Sequence, residues 1–409
     1  MRLLSLVVVS LFFLQTTAES PVTTVAPPVG PAPTYAVPCT GCQVIDAATA
    51  SRDGSVAVVA GGEAFGLFTT ATGAFKWILY YVDYGSEQEG PFAFDAHGTI
   101  AGLAPNSGTI ETVWGITATN GNNTWSQSDD GSMSQLSLAA TPNSFVSGSV
   151  TDNAVARMDS RTGNVTWKVQ LNDYIFNMAT SARNTQDLGQ HPHRTGATAG
   201  FVVYVAYGVV AAAFDEAKGT LIWNVTELPT HLFALVVDEA SRVVMFAGCT
   251  DPSGNPLTYC TVYGFDASSG KRLWEGNFTS SGSLVNVVAA ADGVSYLFTA
   301  SSVIAVSSRT GKQLWTMPAF KAAGNNVPAA SPGRAVNPIT KKDEAVLFFS
   351  ASGSDLTCVG AKDGAVRWVS MLPAGHVATQ SPIVTRTLVI LPTAVGGEHA
   401  FVVAFPTGH

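Results

Sequence analysis

The stretch Val262-Tyr-Gly-Phe-Asp-Ala-Ser-Ser-Gly-Lys-Arg-Leu-Trp274 contains the unit from which the chain is built. An apolar run leads into a turn that Asp266 opens and Gly270 closes, and a second apolar run carries Trp274. Asp suits the opening of a tight turn because its side chain hydrogen-bonds the backbone, and glycine tolerates a positive φ at its end. The stretch therefore predicts strand, hairpin and strand, with the tryptophan on the second strand.

The same spacing recurs along the whole chain. Seven of the eight tryptophans follow a glycine by four residues, and these are Trp77, Trp125, Trp167, Trp223, Trp274, Trp315 and Trp368. The glycines are Gly73, Gly121, Gly163, Gly219, Gly270, Gly311 and Gly364. Their mean interval of 48.5 residues is the length of a four-stranded propeller blade with its turns. The repeat therefore predicts an all-β propeller.

Three apolar segments follow the seventh repeat, and the chain then stops before another tryptophan. They span residues 380–384, 388–391 and 400–405. We interpret them as three strands of an eighth blade, whose fourth strand comes from around Tyr35 to Ile45, so that the chain ends close the ring and leave no long sheet edge exposed. Eight blades of four antiparallel strands are expected. Seven blades, with the last strands merged into the first blade, are the alternative.

The first residues have the features of a secretory signal. Arg2 precedes an apolar stretch from Leu3 to Leu14, and the small residues Thr16 and Ala18 suit cleavage before Glu19. Residues 1–18 are predicted as a signal peptide, with a short membrane anchor as the alternative. Residues 19–38, which hold six prolines, are predicted as an unpacked Pro/Thr-rich linker, and residues 39–409 as the propeller domain. No other segment predicts a membrane span, so we expect a protein without membrane insertion that is secreted or lies in the lumen of the secretory pathway. We also expect a monomer.

Acidic residues outnumber basic ones. Without residues 1–18, the chain keeps 20 basic and 29 acidic residues, a net charge of −9. This balance argues against nucleic acid or an anionic membrane as a partner. Apolar residues make up 46% of the chain and charged residues only 12%, which indicates a large buried core with a modestly polar surface.

Five cysteines allow at most two internal disulfides in a secreted chain. Cys249 and Cys260 flank a turn-rich segment, so a bridge between them is expected. Cys39 and Cys42 have the spacing of a redox dithiol, but the preceding Pro-rich segment favours a structural bridge. Cys358 is predicted to be a buried free thiol. Four Asn-x-Ser/Thr sequons predict N-glycosylation, and they lie at Asn122, Asn164, Asn224 and Asn277.

The repeats have a recognisable consensus, an apolar strand followed by Ala-x-Asp-x-x-Thr-Gly-x-x-x-Trp. Its closest copies are residues 158–167, 214–223, 265–274 and 306–315, whereas the copies at Gly73, Gly121 and Gly364 keep glycine and tryptophan but lose the aspartate. This consensus resembles the PQQ-like repeat of the quinoprotein alcohol dehydrogenase-like propellers. The resemblance implies that each tryptophan docks against the neighbouring blade, where a large flat ring fills the wedge between twisted sheets.

The resemblance also raises the question of a cofactor. In the family's enzymes, a quinone and calcium sit over the central channel, held by carboxylate and amide ligands, commonly with a bridge between adjacent cysteines. This chain has no adjacent cysteine pair. Its candidate carboxylates fall in turns or at strand ends, where we interpret them as solvated surface: Glu87, Glu89, Asp129, Asp130, Asp215 and Glu216. No catalytic or cofactor-binding residue is assigned, and a PQQ- and calcium-dependent oxidoreductase is kept as the alternative.

Other catalytic motifs are missing from the sequence. It contains no Gly-x-Gly-x-x-Gly, Gly-x-Ser-x-Gly or His-Glu-x-x-His motif. His191 and His193 offer two imidazoles in the polar loop 181–198, but the third and fourth ligands of a usual zinc site are not evident. No metal ligand is assigned.

These observations favour a non-enzymatic scaffold that binds a protein or a glycan. The resemblance includes a non-catalytic bacterial outer-membrane assembly scaffold, although the cysteine of its lipid anchor has no counterpart here. In an up-and-down blade with strands A to D, the A–B and C–D turns share one face, and the B–C and D–A connections share the other. The glycine turns are C–D turns, so the B–C loop 250–259 and the D–A segment 320–333 predict a binding surface on the opposite face.

Overall fold

The computed structural model describes residues 28–40, 42, 45, 47–51, 53–61, 64–80, 92–105, 111–128, 135–149, 153–182, 200–250, 259–278, 286–299, 302–318, 330–337, 340–396 and 399–407. Within these ranges every regular element is a β-strand. The described residues therefore contain no helix that could cross a membrane.

The strands form eight antiparallel sheets, which follow one another along the chain. Strand β1 (Tyr35–Pro38) belongs to the last of them. Blade 1 comprises β2 (Ala47–Ala50), β3 (Val56–Gly61), β4 (Ala64–Thr69) and β5 (Phe75–Tyr80). Blade 2 comprises β6 (Phe92–Phe94), β7 (Thr99–Pro105), β8 (Glu111–Thr117) and β9 (Asn123–Ser128). Blade 3 comprises β10 (Gln135–Ala140), β11 (Ser144–Ser149), β12 (Ala154–Asp159) and β13 (Val165–Gln170).

The next four blades repeat this order. Blade 4 comprises β14 (Ile175–Ala182), β15 (Phe201–Tyr207), β16 (Val210–Asp215) and β17 (Leu221–Val225). Blade 5 comprises β18 (His231–Asp238), β19 (Val243–Thr250), β20 (Tyr259–Asp266) and β21 (Arg272–Asn277). Blade 6 comprises β22 (Asn286–Ala291), β23 (Val294–Phe298), β24 (Ser302–Ser307) and β25 (Gln313–Pro318). Blade 7 comprises β26 (Ala330–Val336), β27 (Asp343–Phe349), β28 (Asp355–Gly360) and β29 (Val366–Met371).

Blade 8 is built from both ends of the chain. Its inner strand is split into β30 (His376–Ala378) and β31 (Ile383–Val384), and both pieces pair with β32 (Leu388–Val395). Strand β33 (His399–Pro406) follows, and β1 pairs with it, with Tyr35 opposite Ala404 and Pro38 opposite Phe401. Eight blades closed by the two chain ends are thus confirmed, and the seven-blade alternative is wrong.

The N-terminal strand begins inside the segment that the sequence predicted to be an unpacked linker. The described part of that segment, residues 28–38, joins the propeller. Val29 forms a parallel bridge with Val369, and the Gly30 amide donates to the Val369 carbonyl at 2.7 Å. The proline-rich composition did not reveal this, because a single edge strand can be held by backbone hydrogen bonds to a partner far along the chain.

The core consists of eight apolar clusters, one between each pair of neighbouring blades. The cluster that closes the ring joins Ala57 and Phe68 of blade 1 to Ile390 and Val402 of blade 8, all fully buried. Middle strands such as β3 are buried along their whole length, whereas outer strands such as β13 are largely exposed. This gradient explains the apolar runs in the sequence, because a middle strand is covered on both faces by adjacent blades.

The inner strands contact one another in sequence and so line a central channel. The contacts run β2, β6, β10, β14, β18, β22, β26 and β31, and from β31 back to β2. We call the face with the A–B and C–D turns the turn face, and the face with the B–C and D–A connections the loop face. Each inner strand runs from the loop face to the turn face, so the ends of these strands surround the channel mouth on the turn face.

Candidate functional site

The repeated tryptophans tie each blade to the next. In six blades, the indole N–H donates to the carbonyl that immediately follows the third strand of the next blade. The pairs are Trp77 with Ala118 (3.2 Å), Trp125 with Ser160 (2.9 Å), Trp167 with Glu216 (2.7 Å), Trp223 with Ala267 (3.1 Å), Trp274 with Ser308 (2.7 Å) and Trp315 with Ala361 (2.8 Å). An indole that is buried or partly buried between two blades and donates to a fixed carbonyl acts as a structural spacer.

The repeated glycine of the next blade lies against the same indole ring. A Cβ added to Gly311 would lie 2.6 Å from the ring of Trp274, and five other glycine and tryptophan pairs are comparably close. All seven repeat glycines have φ between 65° and 74°, and each amide donates to the carbonyl four residues earlier. Glycine is therefore required at these positions for two reasons, the left-handed backbone and the close approach of the indole ring.

Tyr35 takes the place of the tryptophan in blade 8. Its hydroxyl donates to the Thr70 carbonyl at 2.6 Å, which is the equivalent carbonyl of blade 1, and its ring lies against Gly73. Burial raises the pKa of this phenol. Gly30 in turn lies against the Trp368 ring of blade 7. The N-terminal segment therefore supplies for blade 8 both the glycine that contacts the preceding blade and the aromatic ring that contacts the next one. This role of Tyr35 was not predicted, although an aromatic residue in the closing strand was a usable signal.

The turn aspartates cap the backbone. Asp266 Oδ1 accepts from the amides of Ser268 and Ser269 at 3.2 and 3.0 Å, and from both of their hydroxyls. The Ser268 hydroxyl bond is the largest cause that lowers the pKa of this carboxyl. Asp159 and Asp215 accept equivalent amide bonds in their own turns. These carboxylates therefore serve to hydrogen-bond the backbone of their own turns.

A cavity of about 480 Å³ opens at the channel mouth on the turn face. It lies among the last residues of four inner strands, in residues 49–50, 92–94, 138–140 and 180–181, and Phe201 and Glu239 complete its wall. We call it the channel-mouth cavity. Among the described residues, its lining includes the acidic residues Asp95 and Glu239 and no Lys, Arg or His.

Asp95 is the least satisfied polar group of this lining. The residue is only 5% exposed, and its Oδ1 accepts from the amides of His97 and Thr99 at 2.9 and 2.7 Å. Its Oδ2 is buried and has no hydrogen-bond partner within the described protein. Leaving a buried acceptor unpaired costs about 1–3 kcal/mol, and more for a charged group. Glu239 is better satisfied, because its Oε1 accepts from the Ser181 hydroxyl at 3.0 Å.

A buried ion pair lies beside this cavity. Glu216 is 5% exposed and accepts from Arg157 Nε at 2.5 Å and from the Ser144 hydroxyl. Ser144 bonds in turn to Thr141, which lines the cavity. The expectation that Glu216 is solvated was wrong, because an arginine of the preceding blade reaches over it. Asp215 is partly buried and caps its turn, whereas Glu87, Glu89, Asp129 and Asp130 lie outside the described residues.

Comparison with known proteins identifies the family of this chain. The family model described as outer membrane protein assembly factor BamB, a PQQ-like repeat model, matches residues 151–327 and 206–407, which together exceed half of the chain. The chain belongs to this family. No curated protein sequence matches it at a significant level.

Two solved structures share the fold of this PQQ-like propeller. BamB from Moraxella catarrhalis is 11% identical with a TM-score of 0.57, and the match covers 92% of this chain and 100% of that protein. Sqt1 from Saccharomyces cerevisiae is also 11% identical with a TM-score of 0.63, covering 93% of this chain and 100% of the other. At this identity the likeness concerns the fold alone.

The described lining of the channel-mouth cavity does not fit the cofactor of the quinoprotein enzymes. Pyrroloquinoline quinone is a polycarboxylate and needs cationic or donor groups, but the described lining residues of the channel-mouth cavity include Asp95 and Glu239 and no Lys, Arg or His. Within the described ranges, no cluster of three or more His, Cys, Asp or Glu side chains could hold a metal ion. His191 and His193 lie outside those ranges. No catalytic step through a quinone is derived for this site.

The four bridged cysteines lie at the loop-face ends of strands, whereas Cys358 lies within β28. Cys249 and Cys260 are paired across β19 and β20 and bridged, with Cα atoms 4.1 Å apart, at the base of the B–C connection 251–258. Cys39 and Cys42 are bridged just after β1, with Cα atoms 5.4 Å apart. Cys358 is free and fully buried, and burial raises the pKa of its thiol.

The four sequon asparagines are exposed and occupy consecutive blades. Asn122 and Asn164 follow the turn glycines of blades 2 and 3, whereas Asn224 and Asn277 lie on the outer strands of blades 4 and 5. Exposure on an outer strand or turn makes each side chain accessible. N-glycosylation stays a prediction.

Proposed function

We propose that this protein is a secreted, non-catalytic scaffold that binds a partner protein through its loop face. The observation that carries the proposal is the distribution of connection lengths around a rigid ring. Eleven residues separate β5 from β6 and β25 from β26, and eight separate β19 from β20; all three connections join strand ends on the loop face. The seven glycine turns opposite span five residues each and are fixed by repeated hydrogen bonds. Varied connections on a fixed scaffold are the usual place for recognition.

Both disulfides support this choice of face. The Cys249–Cys260 bridge ties the base of the 251–258 connection, and the Cys39–Cys42 bridge ties the start of the connection into blade 1. Cross-links at the loop face reduce the conformational freedom of the connections that would contact a partner, and so reduce the entropy lost on binding. The family's description as an assembly factor agrees with a scaffold role.

One connection departs from this pattern. Residues 183–200 join β14 to β15, which is an A–B connection, so the longest connection of the chain belongs to the turn face. The sequence predicts that the longer connections lie opposite the glycine turns, and this connection is an exception. This segment provides a matched control for the proposal, because it is long but belongs to the other face.

The proposal is tested by shortening one connection on each face. Residues 320–329 are replaced by a short Gly-Ser linker in one variant, and residues 185–196 in the other. Partners are captured from the extracellular fluid of the source organism, identified, purified and then titrated against each variant. We expect the first variant to lose binding and the second to keep it. Both should keep the parent melting temperature, because halving a loop changes its closure entropy by only about 0.6 kcal/mol.

Retained binding in the first variant would move the site away from the loop face. The quinoprotein alternative is separated by incubating the purified protein with pyrroloquinoline quinone and calcium. We expect neither bound quinone absorbance nor dye reduction, because the channel mouth is acidic. Stoichiometric quinone binding with alcohol-dependent dye reduction would contradict the non-catalytic scaffold.

A further inference from the structure

The connections on the two faces of the ring carry opposite charges. The A–B and C–D connections of the turn face contain 13 Lys or Arg residues and 7 Asp or Glu residues. The B–C and D–A connections of the loop face contain 12 acidic residues and one basic residue, Lys321. The acidic net charge of the whole chain conceals this separation. The turn face therefore attracts a polyanion, and the loop face repels it.

Eight of the basic residues are exposed in the turns of blades 5 to 8, and we call them the basic arc. They are Arg242, Lys271, Arg309, Lys312, Lys341, Lys342, Lys362 and Arg386. None of them forms an ion pair within the described part of the chain. The positive charge of the arc is thus not used by contacts that hold the fold together.

Acidic residues of the turn face leave this charge in place. Three of them lie in the same connections as the arc, and each is bound elsewhere. Asp292 and Asp363 pair with arginines of blade 7, at 3.1 and 3.0 Å. Glu239 accepts from the Ser181 hydroxyl at 3.0 Å. The turn-face connection residues outside the described ranges include three arginines and one acidic residue, Asp187, so their sum is also positive.

Two residues of the arc occupy backbone positions that favour glycine. Arg242 and Lys341 have φ of 58° and 57°, in the left-handed region that strains an L-residue. Arg242 immediately precedes the second strand of its blade, and the residue at this place in blades 2 and 6 is Gly98 and Gly293, with φ of 83° and 84°. A charged side chain where glycine would relieve the strain points to a role for the charge itself.

The other residues of these turns favour one kind of polyanion. The turns of blades 5 to 8 contain no Phe, Tyr or Trp, so they lack the aromatic faces on which the bases of single-stranded nucleic acid stack. Exposed hydroxyl residues lie beside the cations instead, at Thr310, Thr340 and Thr387. Among the described residues of these blades, the exposed large apolar side chains that could enter a lipid surface lie on strands: Leu314, Val366, Met371 and Val377.

We propose that the basic arc binds a sulfated polysaccharide, whose sulfate groups pair with lysines and arginines of successive blades. Each contact is an exposed ion pair and is individually weak. The affinity therefore comes from many contacts along one chain and decreases strongly with salt. The site lies on the turn face, so a polysaccharide on the arc leaves the loop face open to its partner protein.

The experiment measures binding of a fluorescent heparin octasaccharide to the purified full chain by fluorescence anisotropy. Unlabelled heparin octasaccharide, polyglutamate of the same total charge, oligo(dT) and phosphatidylserine vesicles are compared as competitors. We expect the labelled octasaccharide to bind at physiological ionic strength, and only the unlabelled one to displace it efficiently. The logarithm of the affinity should fall linearly with the logarithm of the salt concentration.

Two fourfold variants with the same change in net charge locate the site. The arc variant replaces Arg309, Lys312, Lys341 and Lys342 by glutamine. The matched control replaces exposed basic residues of blades 1, 3 and 4 by glutamine: Lys76, Arg161, Lys168 and Lys218. The arc variant should weaken binding at least about tenfold and reduce the salt slope by about one for each lost contact. The control should change binding little, because charges further apart than about 8 Å are screened at physiological salt.

The proposal is overturned if the parent protein does not bind the octasaccharide at physiological ionic strength, or if the two fourfold variants lose the same affinity. It is also overturned if polyglutamate, oligo(dT) or the vesicles compete as well as unlabelled heparin. If the arc variant does not fold, Arg242→Gly decides the question. This change removes one charge and relieves a left-handed position, so it should weaken heparin binding without lowering the melting temperature. Unchanged affinity and salt slope in Arg242→Gly would reject the proposal.

Discussion

Replacing one repeat glycine by alanine tests whether the glycine and tryptophan contact holds the blades together. Gly311 and Gly293 belong to the same blade and both have a positive φ, 67° and 84°. A Cβ on Gly311 would lie 2.6 Å from the Trp274 ring, whereas a Cβ on Gly293 would have nothing within 4 Å. Gly293→Ala is therefore the matched control, because it carries the backbone strain without the contact.

The difference between the two variants can be estimated from separate effects. A left-handed alanine costs about 1–2 kcal/mol, and this is the whole expected effect of Gly293→Ala. Gly311→Ala also displaces the Trp274 ring, which adds about 1–3 kcal/mol of overpacking. Moving the ring weakens its hydrogen bond to the Ser308 carbonyl, now 2.7 Å, and this adds about 1 kcal/mol. Gly311→Ala should therefore destabilise the protein by about 3–6 kcal/mol.

Both glycine variants are made in the parent protein and in a Trp274→Ala background. Their free energies of unfolding are measured by urea titration, with circular dichroism as the signal. Trp274→Ala alone should cost up to about 3–5 kcal/mol, the range for removing a large side chain from a core, because this partly buried ring packs against the cluster between blades 5 and 6. In that background the ring is gone, so Gly311→Ala should cost no more than Gly293→Ala. Equal losses for the two glycine variants in the parent protein would refute the reasoning. So would strict additivity of Gly311→Ala and Trp274→Ala.

Three further predictions concern closure, cross-linking and modification. Tyr35→Phe should cost about 1 kcal/mol by removing the hydrogen bond to the Thr70 carbonyl. Because burial raises the pKa of the Tyr35 phenol, its stabilising contribution is complete below pH 10 and is lost as the pH rises further. Melting temperatures between pH 8 and 11 should therefore fall less steeply in Tyr35→Phe, and an unchanged slope would contradict this. Cys249→Ser with Cys260→Ser should cost about 2–3 kcal/mol in urea for a loop of this size, and a loss below 0.5 kcal/mol, the usual size of a surface substitution, would show that the bridge adds nothing. Endoglycosidase treatment of protein secreted by a eukaryotic host should reduce its mass, and single Asn→Gln variants should each remove one glycan; an unchanged mass would reject glycosylation at Asn122, Asn164, Asn224 and Asn277.

The fold was predictable because its sequence signature is local and repeated, although the contacts it produces join neighbouring blades. The glycine that ends each turn and the tryptophan four residues later lie in one hairpin, so their spacing survives in the sequence as a period. The number of blades followed from counting these units and from the three apolar segments after Gly364. Closure by the N-terminal segment followed from the need to cover a sheet edge.

The features that were missed depend on residues far apart in the chain. Tyr35 completes a contact with Gly73 that pairs an N-terminal residue with the first blade, and no period includes it. Glu216 was expected in solvent because charged turn residues usually are. It is buried because Arg157 of the preceding blade pairs with it. The unpartnered oxygen of Asp95 cannot be read from the sequence, since its surroundings come from several blades.

Specific function in such a ring has to come from departures from the repeat. The repeat residues are occupied: each glycine and tryptophan pair joins two blades, and each turn aspartate such as Asp266 satisfies backbone amides. Substitutions at these repeat residues therefore change stability, and the residues themselves contribute little to recognition. The basic arc departs from this rule because its exposed lysines and arginines form no ion pair within the described residues. The long loop-face connections depart from it in length. These two departures lie on opposite faces of the ring, so a partner on one face leaves the other accessible.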